Sequence, residues 1–270
     1  MKVAVCLHGY YGTVSTGDFN TAKVGYEHIK EKILSKIKDV DFYVHCWQPE
    51  FQDDALQKYN PVKYKFEKQI DFDQVCKENG IYQEYLDEHF PRKKTMYKGA
   101  IASRILSFYY SRCESIKMSL EKEYDWILTT RFDISARGGT EVNQIRFLLD
   151  ADPMFLYTTD WCQKNVGYGD MWFYGSPEIM EKYSKIYEHA LADFKPMSKY
   201  EKTLTTGWPD SNFFNGSFDF NDPRQFTNEI DKEKKGENLM VWPKWRATDS
   251  HLHHKWFCMQ TGLYELTRWV

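Results

Sequence analysis

Short, continuous apolar runs alternate along the chain with longer segments in which apolar residues recur every three or four positions. The continuous runs predict strands that are buried on both faces, and the helical spacing predicts amphipathic helices. Strands are predicted at residues 2–7, 40–47, 124–134, 154–157 and 169–176, and helices at 21–38, 96–118 and 177–190. This alternation predicts a single α/β domain over residues 1–270, with a Rossmann-type, mostly parallel central sheet flanked by helices.

Residues 51–93 carry a weaker pattern, because they are polar and aromatic. Short helices are predicted near 72–79 and 82–89, and the triplet Asp71-Phe72-Asp73 is predicted to cap the start of the first one. The rest of this segment is expected either to cover one side of a ligand site or to form a solvated surface.

Glycines and polar side chains follow the first two predicted strands. The first strand runs into the segment His8, Gly9, Tyr10, Tyr11, Gly12 and Thr13, and the second strand ends at His45 and Trp47. Glycines allow backbone N–H groups to approach a ligand closely, and the carboxyl ends of parallel strands share one edge of a sheet. We therefore expect a nucleotide-binding loop beside a base or ribose pocket. The alternative is a plain strand-to-helix turn, since the segment matches neither a GxGxxG nor a Walker pattern.

The predicted strand at 124–134 carries Arg131-Phe132-Asp133 near its end. A carboxylate at a strand end can hold a divalent cation, and the cation can hold a diphosphate. The alternative is an ordinary core strand capped by a salt-bridged aspartate. Asp150 and Asp152 form a second candidate for the metal-binding motif, although they follow a predicted helix at 142–149 rather than a strand.

The apolar strand that runs into Arg131-x-Asp133 resembles the metal-binding signature of GT-A nucleotide-sugar glycosyltransferases, in which such a strand ends in Asp-x-Asp. Arg131 replaces the first aspartate, as in a group of bacterial and large-virus surface-glycan glycosyltransferases. The resemblance implies a GT-A-like fold and Mn²⁺ or Mg²⁺ held by Asp133. It also implies a nucleotide-sugar donor bound by residues 1–135 and a glycan or glycoprotein acceptor bound by residues 136–270.

Other elements resemble the same family in chain order. The helix before the metal strand supplies a basic residue to the donor, which implies Lys98 or Arg104 in this chain. Arg104 is preferred because a guanidinium grips phosphate oxygens in a bidentate way, and a plain surface arginine is the alternative. The segment 169–176 resembles the acceptor-side strand and places Asp170 at the start of that strand. Asp210 resembles the aspartate that starts a helix aimed at the acceptor hydroxyl, and it could equally be an N-cap.

The carboxy-terminal segment contains three histidines within four residues, followed by Lys255 and Trp256. In the resembled family a carboxy-terminal histidine completes the Mn²⁺ shell, which implies His251 or His253, and a following lysine covers the diphosphate. The spacing fits no autonomous zinc site, and a polar surface turn is the alternative. The donor-binding residues expected from the whole sequence are His8, Gly9, Tyr11, Gly12, Thr13, His45, Trp47, Lys98, Arg104, Arg131 and Lys255.

Composition narrows the classes of partner. A net charge of −3 and a pI near 6.3 argue against general nucleic-acid binding. The chain contains no apolar run long enough to span a membrane and no charged-then-apolar leader, so we expect no integral membrane segment. Six scattered cysteines without CxxC spacing are typical of free thiols in a reducing compartment, which favours the cytoplasm. The aromatic content of 17% adds flat apolar faces suited to sugars and nucleobases.

The sequence thus predicts metal-assisted transfer of a sugar from a UDP- or GDP-linked donor to a hydroxyl of a glycan. If the enzyme inverts configuration, Asp170 or Asp210 is the expected general base, and if it retains configuration no such base is needed. Two other classes stay open: a non-catalytic glycan-binding protein, and another Rossmann-like enzyme such as a nucleotidyltransferase or a sugar-modifying dehydrogenase. The chain lacks the glycine fingerprint of the dehydrogenase.

Overall fold

The computed structural model describes residues 1–12, 20–89, 101–136, 144–159, 168–206 and 250–270. Seven described strands form one mixed sheet in the order β3-β2-β1-β4-β6-β5-β7. The strands are β1 (Lys2–Gly9), β2 (Asp39–Cys46), β3 (Lys63–Phe66), β4 (Trp126–Arg131), β5 (Leu156–Thr158), β6 (Trp172–Gly175) and β7 (Thr267–Trp269). Neighbouring strands among β3, β2, β1 and β4 are parallel, as are β5 and β7, whereas β6 runs antiparallel to both β4 and β5.

Helices cover both faces of the sheet. They are α1 (Asn20–Ile29), α2 (Gln52–Tyr59), α3 (Phe72–Glu78), α4 (Gln83–His89), α5 (Ala102–Ser119), α6 (Pro177–Tyr183), α7 (Ile186–Asp193), α8 (Lys199–Thr206) and α9 (Ser250–Thr261). A π-helical turn at Lys30–Leu34 extends α1, and a 3-10 turn at Pro49–Phe51 precedes α2. Within the described ranges, no helix has the length and apolar content needed to cross a membrane.

The sheet separates two apolar cores because successive side chains of a strand point to opposite faces. On β1, Ala4 and Cys6 face the core that contains α5, whereas Val3, Val5 and Leu7 face the core that contains α1. All five side chains are fully buried. The continuous apolar runs of the sequence are therefore explained by burial on both faces, and the predicted α/β class with a mostly parallel, helix-flanked sheet is confirmed.

Several elements differ from their prediction. Residues 144–149, predicted as the end of a helix, are irregular; Ile145 and Phe147 are buried against the α1 side of the sheet, and the Ile145 N–H donates to His28 Nε2 over 2.9 Å. The predicted helix at 177–190 is broken into α6 and α7 at residues 184–185. Strands β3 and β7 and helix α2 were not predicted, because they are short and carry polar residues.

Candidate functional site

The carboxyl ends of β1, β2 and β4 meet at one edge of the sheet. In the strand register, His8 lies beside His45 on one side and beside Arg131 on the other. Strand β6 runs the opposite way, and Thr130 of β4 pairs with Trp172, so Asp170 just before β6 lies at the same edge as the residues that follow β4. Open α/β sheets bind ligands at this edge. The fold therefore gathers several of the predicted site residues in one place.

Arg131 and Asp133 form a bidentate ion pair with each other. Arg131 Nε donates to Asp133 Oδ1 over 2.7 Å, and an Arg131 Nη donates to Asp133 Oδ2 over 2.6 Å. Burial lowers the pKa of the guanidinium, but the carboxylates of Asp133 and Asp170 outweigh this effect and the pKa is raised overall. Arg131 is therefore a permanent cation, and two of its guanidinium N–H groups point at Asp133 of the same Arg-x-Asp motif.

Gly25 allows α1 to support this motif. A Cβ atom at position 25 would clash with the carbonyl oxygen of Phe132, so only glycine permits the backbone of α1 to lie directly against the segment between Arg131 and Asp133. Phe132 itself is fully buried. The motif is thus held by backbone packing as well as by its internal ion pair.

Asp170 is a partly buried carboxylate that is surrounded by cations. Burial raises its pKa, yet the charges of His251, Arg131 and Arg112 more than offset this effect and bring the pKa down to about 2. Ser250 Oγ at the start of α9 donates to Asp170 Oδ2 over 3.3 Å. Asp170 is therefore ionised at every physiological pH, which makes it a weak proton acceptor.

Arg112 is a functional candidate that the sequence analysis missed. Its side chain is fully buried on α5, and its guanidinium donates to His8 Nε2 (3.2 Å), His254 Nε2 (2.8 Å), Tyr183 Oη (2.6 Å) and the carbonyl oxygen of Asp170. The guanidinium carbon also lies 4.2 Å from the centre of the Phe108 ring. All of these acceptors are uncharged, and the Asp170 carboxylate acts on the positive charge of Arg112 at longer range.

A signal for Arg112 was present in the sequence. Residues 105, 109, 112 and 116 follow the helical spacing of the buried face of α5, with Ile105, Tyr109 and Ile116 at the other three positions. A charged side chain on an apolar helix face is rarely buried unless it is hydrogen-bonded, and it often belongs to a site.

The proton of His8 is placed by Arg112. An arginine N–H can only donate, so His8 Nε2 must accept, and a neutral His8 carries its proton on Nδ1. Burial, followed by the charges of Arg112 and Arg131, lowers the pKa of His8 well below its usual value, so the ring is neutral. Within the part of the chain that the structure describes, Nδ1 has no hydrogen-bond partner although the ring is fully buried.

The carboxy-terminal histidines lie on α9, so the alternative of a polar surface turn is wrong. His251 Nδ1 hydrogen-bonds with the Tyr168 carbonyl oxygen over 2.6 Å, and the Tyr168 N–H donates to the His251 carbonyl over 3.0 Å. These contacts place His251 beside Asp170. His253 is instead fully buried, with Nε2 bonded to Asp193 Oδ2 (3.1 Å) and Nδ1 bonded to Tyr109 Oη (3.3 Å). Both of its ring nitrogens are therefore used inside the protein.

Lys255 lies one residue beyond His254 and is almost completely buried. Burial alone lowers its pKa to about 8, and its Nζ lies 5.8 Å from the centre of the Tyr264 ring. Its predicted contact with a donor diphosphate stays a prediction.

The predicted nucleotide loop uses its polar groups within the protein. The Gly9 N–H donates to Ser111 Oγ over 2.8 Å, and the Gly12 N–H donates to Gln48 Oε1 over 2.9 Å. Tyr11 is buried, and its hydroxyl donates to Asp54 and accepts from Lys58 Nζ. The expectation that the glycine N–H groups point at a ligand is therefore not met by Gly9 and Gly12, because neighbouring side chains accept from both.

His45 and Trp47 at the end of β2 fill the space between the sheet and α5. His45 is fully buried, with Nδ1 bonded to Ser111 Oγ (2.7 Å) and Nε2 bonded to Glu67 Oε1 (3.0 Å). Trp47 stacks on Tyr110 with ring centres 5.6 Å apart. Arg104 is exposed near the start of α5, which fits either of its two interpretations.

Other predicted residues lie elsewhere. Asp152 Oδ1 accepts from the Met154 N–H over 2.9 Å and caps a turn before β5, and Asp150 is exposed. Thr13, Lys98 and Asp210 lie outside the described residues.

At Asp133 and His253, the groups proposed to ligate a divalent cation already hydrogen-bond within the protein. Both oxygens of Asp133 accept from Arg131, and both ring nitrogens of His253 bond within the protein. Across the described ranges, no group of three or more His, Cys, Asp or Glu side chains is arranged to hold a metal ion. The expectation of Mn²⁺ or Mg²⁺ at Asp133 therefore finds no support in the donor geometry.

Comparisons with models of protein families, with curated proteins and with solved structures give no match. The functional conclusion accordingly rests on the geometry of the chain itself.

Proposed function

We propose that the protein is a glycosyltransferase that moves a sugar from a UDP- or GDP-linked donor to a hydroxyl of a glycan. One observation carries this proposal: Arg131, Asp133, Asp170 and His251 lie together at the carboxyl edge of the parallel strands. Charged groups that are withdrawn from water destabilise a fold unless they are paired, so a mixed cluster at a ligand-binding edge supports a functional site.

The charges of the cluster match the needs of glycosyl transfer. A departing nucleoside diphosphate accumulates negative charge, which the fixed cations Arg131 and Arg112 would stabilise. Asp170 would remain a carboxylate throughout the reaction, because its pKa is about 2. In that form it would accept hydrogen bonds from sugar hydroxyls and stabilise the positive charge that develops on the transferred sugar.

The low pKa of Asp170 disfavours it as the general base, because an efficient base has a pKa near the working pH. If the reaction inverts configuration, we propose Asp210 as the base. Replacing Asp210 by asparagine would then lower kcat by about 10²-fold or more while leaving donor binding unchanged. A folded Asp210→Asn variant with wild-type turnover would remove that role.

A thermal-shift screen tests the function directly. UDP, GDP, CMP, NAD and free monosaccharides are each added in EDTA and in Mn²⁺, since a ligand that binds the folded state raises Tm. Stabilisation by one nucleoside diphosphate, followed by release of that diphosphate from its sugar conjugate in the presence of glycan, is the expected result. A response to NAD alone would instead indicate a dehydrogenase, and a response to free sugars alone would indicate a glycan-binding protein.

A further inference from the structure

We infer that Arg131 takes the place of a divalent cation at the end of β4, so that a diphosphate binds to fixed guanidinium charge without a metal ion. The inference rests on the proposed function for the identity of its ligand, a nucleoside diphosphate. It assigns Arg131 the role of a direct anion ligand and Asp133 the role of orienting it.

The first support is the geometry of the Arg131–Asp133 pair. Two parallel N–H···O bonds of 2.7 and 2.6 Å occupy both carboxylate oxygens. A divalent cation on either oxygen would lie beside the guanidinium and be repelled by it. The same two bonds fix the plane of the guanidinium. Asp133 accepts from Nε and from one Nη, and we assign the second Nη to the diphosphate.

The second support is the positive charge behind Arg131. The Arg112 guanidinium is fully buried, and the acceptors it bonds to are the neutral His8 and His254 rings, a tyrosine hydroxyl and a backbone carbonyl. Arg112, Arg131 and His251 all act electrostatically on Asp170, and Arg131 also pairs with Asp133. Both guanidiniums would therefore attract an anion that binds at this edge.

The third support is His8, which lies between the two arginines. It is the register neighbour of Arg131, it accepts from Arg112, and both guanidinium charges act on it. Its Nδ1–H is buried without a partner in the described part of the chain. Buried N–H groups are nearly always satisfied, so an unpaired donor beside two guanidiniums is suited to an anionic oxygen.

Asparagine at position 133 separates this inference from the metal assignment. If Asp133 holds a metal, Asp133→Asn abolishes binding of inorganic pyrophosphate, and wild-type binding requires Mn²⁺. If Arg131 is the cation, the wild type binds pyrophosphate in EDTA, and Asp133→Asn keeps this metal-independent binding, because the asparagine oxygen still accepts one guanidinium bond while the competing carboxylate charge is gone. Isothermal titration calorimetry with pyrophosphate, in EDTA and in Mn²⁺, measures both.

Arg131→Gln is the complementary variant, and it is expected to weaken pyrophosphate binding in EDTA by about tenfold or more, since a bidentate charged ligand is lost. Because it removes both guanidinium bonds from Asp133, it is also expected to bind Mn²⁺ more tightly than the wild type does. The double variant Arg131→Gln/Asp133→Asn is neutral at both positions, so it should lose pyrophosphate binding and gain no Mn²⁺ binding even if the single variant is unstable. Arg146→Ala, at an exposed arginine, is the control for loss of one positive charge.

Three results would overturn the inference: pyrophosphate binding by the wild type only when Mn²⁺ is present, loss of binding in folded Asp133→Asn, or undiminished binding in folded Arg131→Gln and in the double variant. Failure of the proposed function is seen separately. In that case the pyrophosphate and Mn²⁺ responses of the variants follow the expected pattern, but the wild type releases no diphosphate from any UDP- or GDP-sugar.

Discussion

Replacing Asp170 by asparagine tests the charge arrangement of the site, because asparagine keeps the size of the side chain and an acceptor for Ser250 Oγ. The pKa of Asp170 is about 2, against an ordinary value of 3.8. The folded protein therefore favours the carboxylate over the neutral acid by about 2 kcal/mol. We expect Asp170→Asn to lower the free energy of unfolding by about 2 kcal/mol at pH 7.

The pH dependence of this loss gives the sharper test. The pKa of Asp170 is lower in the folded than in the unfolded state, so its stabilisation is complete above the unfolded value and disappears as the pH falls through about 2. The difference between wild type and Asp170→Asn should therefore be about 2 kcal/mol at pH 7 and about half of that near pH 3.

Urea unfolding followed by tryptophan fluorescence at pH 7, 5, 4 and 3 measures this difference. Asp150→Asn, at an exposed carboxylate in a turn, is the matched control, and we expect it to change stability by less than about 0.5 kcal/mol. A deficit in Asp170→Asn that is the same at every pH would show that packing, rather than charge, causes it. Wild-type stability of the variant at pH 7 would refute the placement of Asp170 among cations.

Three further predictions concern the residues around the site. Gly25→Ala should destabilise the fold by about 3 kcal/mol, because its Cβ would clash with the Phe132 carbonyl. Gly262→Ala, at a position with φ of +73° and open space around it, should cost only about 1 kcal/mol. Urea unfolding compares the two variants, and equal losses of stability would contradict the close approach of α1 to Phe132. Arg112→Met should lower the free energy of unfolding by about 3–5 kcal/mol, because it leaves buried acceptors without a donor. Arg112→Lys keeps the charge and should lower it less. The reverse order in the same urea measurement would contradict the role of the charge. His253→Ala should lower the free energy of unfolding by about 2–4 kcal/mol and leave the Kd for pyrophosphate within about twofold of the wild-type value. A large loss of affinity in the folded variant would show that His253 takes part in ligand binding.

The local signals of the sequence were sufficient for most of the core. The central strands β1, β2 and β4 were predicted because a strand covered on both faces must be apolar at every position. The capped start of α3 was also predicted, and Asp71 Oδ1 accepts from the N–H groups of Asp73 and Gln74 over 3.0 Å. Both signals lie within a few residues of the feature that they determine.

The short edge strands could not be predicted in the same way. Strand β3 is only Lys63–Phe66, and its alternating charged and aromatic residues resemble a surface loop. It is a strand because β2 offers an unpaired edge to which it hydrogen-bonds. The reversal of β6 is likewise set by its partners β4 and β5 rather than by its own residues.

The sequence by itself therefore determined the α/β class, the central strands and the position of Arg131 and Asp133 at a strand end, because each depends on local periodicity. Only the tertiary structure decided how the charges pair. Arg112 meets His8 across 104 residues of chain and His254 across 142 residues, and no local pattern encodes such meetings. The bidentate bond within Arg131-Phe132-Asp133 joins near neighbours, yet its orientation is held by α1, which can lie against Phe132 only because residue 25 is glycine. Charged groups lose solvation when they are buried, so each buried charge needs partners within the protein, and only the fold supplies those partners.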